Sequence, residues 1–272
     1  MELRPASEFT TSVLAEAFTA GYEGYQFPIQ LDEAEFTAMA ERSDFDLGLS
    51  QVALADDGAV GICALGVRGD QGWIGGLGVA PAARRRGIGR QLMNAVLGAA
   101  RAAGIERVSL EVLEPNTGAI ALYEQLGFER TRRLEVWSLA SEPDGSSAEP
   151  ANADEAAAWI RTNRRAPEPW QRADESIRNL EVEAVAVPGR GAALFRLTGS
   201  VASVLQLAAA DEEAAAQLLT AVRGRGSSLR FVNVPEGDPA GNALRRLGGT
   251  LDIRQFELAL ELPRFGLQPG RR

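Results

Sequence analysis

The stretch Leu77-Gly78-Val79-Ala80-Pro81-Ala82-Ala83-Arg84-Arg85-Arg86-Gly87-Ile88-Gly89-Arg90 decides how the chain is read. It passes from an apolar strand through an Arg- and Gly-rich turn into a helix expected over residues 87–103, with Ile88, Leu92, Val96 and Ala99 on one face. The first amides of a helix have no intrahelical acceptor, and the helix dipole adds partial positive charge there. Gly87 and Gly89 let the backbone approach an anion, and Arg84, Arg85, Arg86 and Arg90 surround the turn with positive charge. This suits a pyrophosphate. Read alone, it is equally a strand–helix turn with solvated arginines, because Gly-x-Gly is a weak pattern. A dinucleotide-binding βαβ unit fits poorly, since the strand before the turn closes two antiparallel hairpins.

Upstream, a short strand at residues 2–4 precedes an amphipathic helix over 7–20 with Ser7 as its N-cap, and a second helix covers 32–41. Strands follow at 50–55, 60–68 and 72–79, joined by turns at Asp56-Asp57-Gly58 and Gly69-Asp70. Downstream lie a strand at 107–113, a helix at 117–126 and a closing β segment through Leu139. The order β-αα-βββ-α-β-α-β is an α+β pattern with a mixed sheet.

A polar segment rich in Pro, Ser and Gly at 141–151 reads as a linker between a domain at 1–140 and another at 152–272. Beyond it the order partly repeats, with strands at 201–209, 228–234 and 250–262 and helices at 211–222 and 238–247. An offset of 121 sets Leu126-Gly127 on Leu247-Gly248 and Leu139 on Leu260, which points to an internal duplication.

The 272 residues suffice for two domains of roughly 130 each. Residues 1–139 hold 19 acids against 12 Arg, and the remainder 18 against 16, so the net charge of −9 divides as −7 and −2. This balance argues against a nucleic-acid partner and leaves room for a cationic acceptor such as an amine. The chain has no His, and every basic residue is Arg. Ser-His-Asp and Cys-His arrangements, Schiff-base lysines and the P-loop lysine are thereby excluded. With one Cys and no His, no metal site is expected. Cys63, in Gly61-Ile62-Cys63-Ala64-Leu65, reads as a small core residue or, alternatively, a reactive thiol. The lone Cys, an N-terminus without a signal-peptide pattern, and the lack of any apolar run near ~18 residues lead us to expect a cytoplasmic protein without a membrane partner.

Arg84-x-x-Gly87-x-Gly89 after Leu77-x-Val79-x-Pro81 resembles the acyl-CoA-binding signature of the GCN5-related N-acetyltransferase (GNAT) superfamily. A second signature follows in order, Asn116-x-x-Ala119-x-x-Leu122-Tyr123-x-x-x-Gly127-Phe128. The resemblance covers roughly residues 1–139. It implies the GNAT fold, a splayed mixed sheet flanked by helices, with CoA lying between the strands at 73–79 and 107–113. The acyl-pantetheine arm would pair with the backbone around Leu77 and Val79, and the pyrophosphate would sit on the amides from Arg85 through Gly87, Ile88 and Gly89 to Arg90. The implied donor is acetyl-CoA, the implied acceptor an amine, and a homodimer is among the assemblies the resemblance admits.

By the same resemblance Tyr123 is the general acid for the departing thiolate, although a Tyr on this helix also reads as core beside Leu122 and Leu126. Glu111 points away from the Val108, Leu110 and Val112 face by strand alternation. Its placement twelve residues before Tyr123 is similar to that of the base in bacterial ribosomal-protein N-terminal acetyltransferases, and it reads equally as a solvated carboxylate. Many superfamily members carry the carboxylate on the preceding strand, where Trp73-Ile74-Gly75-Gly76-Leu77 offers none. Asn116 is read as a holder of pantetheine or water, or as the cap of the following helix.

In the second half the turn into the helix is expected to be about two residues shorter, without Gly and with acids at Asp211, Glu212 and Glu213. At the 121 offset Leu244 replaces Tyr123, Val232 replaces Glu111 and Gly237 replaces Asn116, so this half reads as a degenerate copy. In mycothiol synthases, which are tandem members, the active copy is C-terminal, whereas here the intact copy comes first. Acceptor contacts are expected from Tyr22, Glu23, Tyr25, Gln26, Phe27 and Pro28 and from residues 130–133, which name no particular amine. A non-catalytic acyl-CoA-binding regulator is the alternative.

Overall fold

The computed structural model describes residues 1–25, 29–55, 58–142 and 145–263. Strand β1 (Glu2–Pro5) leads through a single 3-10 turn at Ala6–Glu8 to helix α1 (Thr11–Gly21). Ser7 falls in that turn and does not cap α1. The backbone re-extends at Phe9 (φ −115°, ψ 153°), so the helix starts afresh at Thr10, whose hydroxyl accepts the Val13 N–H at 3.4 Å. Helix α2 (Glu33–Arg42) opens on a capping box. Asp32 accepts the Glu35 N–H at 2.8 Å, and Glu35 accepts the Asp32 N–H at 2.9 Å. There follow β2 (Gln51–Ala55), β3 (Gly58–Arg68), β4 (Gln71–Val79), α3 (Ile88–Ala102), β5 (Arg107–Leu113), α4 (Thr117–Gln125) and β6 (Glu129–Ala140). Asp56 and Asp57 of the expected hairpin turn, and Pro143 and Asp144 of the expected linker, lie outside the described residues.

The chain forms two compact units that do not follow chain order. The first comprises Met1–Glu111, Gly118–Arg130 and the segment from Leu258. Its strands run in the order β1-β2-β3-β4-β5, antiparallel up to β4, with β5 parallel to β4. Strand β3 is buried on both faces, which is why it reads as an unbroken apolar run. Ile62 and Ala64 join Leu14, Phe18 and Phe36 of α1 and α2, while the Cys63 sulfur lies 3.7 Å from Met93 of α3. Cys63 is thus core, and burial pushes its thiol pKa up, so it carries no thiolate at neutral pH. On α3, Ala100 rather than Ala99 completes the buried face. The C-terminal end of α1 sits directly on β4, where a Cβ at Gly78 would stand 2.8 Å from Gly21 Cα. Only hydrogen on both residues permits that approach.

The second unit comprises Val112–Thr117 and Thr131–Glu257. Beside β6 it contains β7 (Glu149–Pro150), α5 (Ala153–Asn163), the short α6 (Asp174–Ile177), β8 (Glu183–Val187), β9 (Gly191–Thr198), β10 (Val201–Ala209), α7 (Glu212–Arg223), β11 (Ser228–Pro235), α8 (Pro239–Arg246) and most of β12 (Thr250–Glu261). Its strand order is β12-β6-β11-β10-β9-β8-β7. The 121 offset carries the start of β5 from 107 to 228, the first residue of β11, and the ends of β6 from 129 and 140 to 250 and 261, the ends of β12. Gly127 and Gly248 share a left-handed backbone (φ 93° and 78°). Upstream the correspondence slips. Eight residues (80–87) separate β4 from α3, but only two (210 and 211) separate β10 from α7. The second-half turn is therefore six residues shorter, not about two. Asp211 caps α7 at once, accepting the Ala214 N–H at 2.9 Å.

These packing differences separate two kinds of glycine. Gly98 lies in α3 with open space around it, so Gly98→Ala should raise the denaturation midpoint, by about 0.5–1 kcal/mol in stability. Gly78→Ala meets backbone, which cannot yield as a side chain can, and should lower stability by on the order of 2–3 kcal/mol in the same urea titration.

Candidate active site

Strands β4 and β5 pair from Gln71 opposite Arg107 to Ile74 opposite Leu110, and there the ladder stops. On its other edge β4 stays bonded to β3, but Ala64 faces Gly76 while Leu65 faces Ile74, so Gly75 is an extra residue. A bulge bends the strand that carries it. The bend and the end of the parallel pairing coincide, so β4 leaves β5 and opens a cleft flanked by half-buried Leu77 and Val79 on one side and half-buried Glu111 on the other.

Past Val79, Arg85 (φ 63°) and Gly87 (φ 79°) are both left-handed, and Gly87 is the N-cap of α3. Such a turn curls its amides around a concavity, and α3 begins its backbone bonds only with Gln91 N–H to Gly87 O at 3.1 Å. Buried Ile88 pins the helix end, and exposed Arg85 and Arg86 flank it. A Cβ on Gly89 would stand 3.9 Å from Leu77, which places this end of α3 at the cleft. Arg90 donates to Gln125 of α4. These features fit a pyrophosphate by shape and polarity. Arg84 is otherwise engaged, since its guanidinium donates to the carbonyls of Val79 (2.8 Å), Gly21 (3.2 Å) and Glu23 (2.6 Å). It ties the turn to the end of α1 rather than standing free as a surface charge.

Tyr123 is buried on α4 with its ring 6.0 Å from that of Phe128. Burial pushes its hydroxyl pKa well above the usual phenol range, and the neighbouring Tyr22 and Tyr25 phenols and Cys63 thiol add to the rise. Tyr22 stacks on Phe18 at 4.9 Å and meets Tyr25 edge-on at 5.4 Å. All three tyrosines of the chain therefore gather at one place. Across the cleft, the Trp73 indole N–H donates to Glu111 Oε2 at 2.7 Å.

The acetyltransferase (GNAT) family model matches residues 11–128. Over these residues the chain is similar to a GNAT domain. Over 54 residues the chain is 52% identical to a mycothiol acetyltransferase of Streptosporangium roseum, a match covering 20% of this chain and 16% of that protein. The curated relatives are matched over only 16–34% of their own lengths. A GCN5-related N-acetyltransferase from Sphaerobacter thermophilus superposes with a TM-score of 0.74 at 18% identity, covering 98% of this chain and 97% of that one. A tandem GNAT protein from the clavulanic acid biosynthesis pathway gives 0.65 at 17%, covering 97% and 100%. Likeness at this identity establishes the fold, including its extension over the second half.

Other expected residues of the GNAT domain are placed differently. Asn116 belongs to the 112–117 stretch of the second unit, where its N–H donates to Leu113 O at 2.9 Å. Of the acceptor candidates, Gln26, Phe27 and Pro28 lie outside the described residues. Arg130 pairs with Glu124 (2.7 Å), Arg132 with Glu257 (2.8 Å), and Arg133 with Glu114 (2.6 Å) and Glu236 (3.3 Å). Trp73 was not singled out from the sequence. Its signal is the parallel register: Trp73 lies opposite Ser109, so Glu111, two residues on, shares its face.

Burial raises the folded-state pKa of both Tyr22 and Tyr123 above the unfolded value of ~10, so neither ionises in the native protein as pH passes that value. Below pH ~10 both states hold the proton and stability is unaffected. Above it the unfolded chain alone loses protons, and stability falls. An alkaline titration followed at the tyrosinate absorbance should leave Tyr22 and Tyr123 silent until the chain unfolds, then release them together.

Proposed function

We propose that the chain transfers an acetyl group from acetyl-CoA to a primary amine by direct attack of the amine on the thioester. The observation that carries this reading is the parting of β4 from β5 beside the left-handed turn at Arg85–Gly87. An anion cradle at one end of a cleft and freed β4 backbone along it suit a long, phosphorylated, amide-bearing donor. The amides of Arg85, Arg86, Gly87, Ile88, Gly89 and Arg90 hold the pyrophosphate, and Leu77 and Val79 pair with the pantetheine arm. The matched family uses acetyl-CoA, and its relatives are named acetyltransferases.

In this reading Glu111 takes a proton from the ammonium, directly or through water. The amine lone pair forms the C–N bond, the C–S bond breaks, and the electron pair leaves on sulfur. Tyr123 donates its hydroxyl proton to that sulfur, and the second proton lost by the acylated nitrogen restores the phenol through water. The raised phenol pKa keeps the proton on Tyr123 at neutral pH and makes it a weaker acid, so transfer waits on the negative charge that develops on sulfur. The acceptor is a primary amine on a small molecule or on a protein N-terminus.

The second unit is proposed to hold no second donor site. Strands β10 and β11 also part, after Val204 and Phe231, but only two residues lead from β10 to α7, whose N-cap is Asp211, so no anion cradle forms beside the cavity that Leu207, Phe231, Arg172 and Glu168 help to line. The Arg172 guanidinium lies 4.6 Å over the Phe231 ring, donates to Val232 O at 3.3 Å and pairs with buried Glu168. The Gln206 amide donates to Arg172 O at 2.7 Å. Isothermal calorimetry should therefore give one CoA site per chain.

Gly89 has room for a side chain without strain, so Gly89→Asp should fold normally yet weaken CoA binding by ~10²-fold or more, since it sets a carboxylate against the pyrophosphate. Unchanged affinity would displace the donor site from this turn. Tyr123→Phe should lower kcat by ~10²-fold with little change in CoA affinity, measured as thiol release with a competent amine. A regulator that only binds acyl-CoA would show no amine-dependent thiol release in the wild type.

A further inference from the structure

We infer that Trp73 is a positioning residue for Glu111, its indole N–H fixing the carboxylate that receives the acceptor's proton. The inference rests on the proposed role of Glu111 as base. It starts from where the backbone ladder ends. Leu110 is the last β5 residue paired to β4, so Glu111 is the first residue in the open cleft. What the ladder no longer fixes, a side-chain bond does, and Trp73 Nε1 reaches Glu111 Oε2 at 2.7 Å. A neutral donor to a carboxylate makes a strong, directional bond without cancelling the charge a base needs.

The donor is itself rigid. Trp73 is 5% exposed and stacked on Phe45, with centroids 6.2 Å apart and planes 22° apart. Phe45 is anchored in turn by its N–H to Ala40 O at 2.9 Å and by its bridge to Gly66. The slot for both rings is the bulge residue Gly75, where a Cβ would lie 2.3 Å from Phe45 and 2.4 Å from Trp73. The absent side chain that bends β4 out of the ladder also admits the indole. Several ionisable groups on neighbouring elements have partners of their own. Asp44 is paired with Arg68 at 2.7 Å, Asp46 accepts the Gly48 and Leu49 amides, Arg107 is paired with Glu261, and burial keeps Tyr22 and Tyr123 protonated.

The test is a double-mutant cycle of Trp73→Phe and Glu111→Gln, read as pH profiles of kcat/KM with acetyl-CoA and a competent amine. Phe keeps an aromatic ring against Phe45 and removes the N–H together with part of the indole's bulk, which is why the cycle, rather than the single variant, isolates the hydrogen bond. Loss of a donor to the charged form raises a carboxylate pKa, so Trp73→Phe should move the acidic limb up by about one pH unit and lower kcat by about 10-fold, with CoA affinity unchanged. In the Glu111→Gln background Trp73→Phe should add almost nothing, because Trp73 acts through Glu111. If Glu111→Gln cripples turnover while Trp73→Phe leaves the acidic limb in place, the positioning role is overturned and the base stands. Full turnover in Glu111→Gln overturns both. Should Trp73→Phe fail to fold, the indole N–H resonance of wild-type Trp73 supplies the same answer. It should shift with pH as Glu111 titrates and should lose that dependence in Glu111→Gln. A pH-independent resonance in the wild type overturns the inference.

Discussion

The site depends on one event in the backbone, the release of β4 from β5 after Ile74. Two parallel strands normally bond along their whole contact, and each freed amide and carbonyl costs stability unless something else satisfies it. Here the bulge at Gly75 bends β4 while β3 keeps its other edge bonded, so the strand remains anchored as it turns away. Everything proposed for catalysis follows from that parting. It frees backbone on β4 for a ligand, brings Glu111 to the open side, and lets α3 present its first turn toward Leu77.

Much of this was legible in the sequence because local chemistry writes strong signals. The hairpin at Gly69-Asp70, the strand Arg107–Leu113 and the Gly-rich entry to α3 stand where periodicity and turn residues put them. The start of α1 was misread, because Ser7 and Thr10 are both competent caps and only the re-extended backbone at Phe9 chooses between them. The elements between residues 150 and 200 leave only faint patterns in the sequence. Helix α5 is alanine-rich with a weak apolar stripe, and β8 and β9 are short runs defined by pairing rather than by pattern. In the site, residue types were readable and partnerships were not. Arg84 looks like a phosphate ligand until its carbonyl acceptors are seen, and Trp73 looks like core until the register sets it beside Glu111.

The two parted strand pairs show how similar frameworks can differ. Both units keep the parallel pair that ends early, because that geometry comes from backbone and register. What lines the opening comes from side chains, which change more easily. In the second unit the Arg172–Glu168 pair, Leu207 and Phe231 wall a cavity there, and the approach to α7 is too short to form a cradle.

The composition of the first unit has a bearing on biosynthesis. Its contacts include the segment from Leu258, whose Glu261 pairs with Arg107 and whose Leu262 N–H donates to Glu106 O at 2.6 Å. A nascent chain that has emitted the whole of residues 1–130 still lacks part of that unit and must wait for more than a hundred further residues to be translated. Domains usually fold as they emerge, N-terminal first. Here the unit that carries the GNAT domain cannot complete itself that way. Its final closure joins segments far apart in sequence, which is entropically slow, and leaves an incomplete sheet edge exposed to chaperones until the ribosome delivers the last strand.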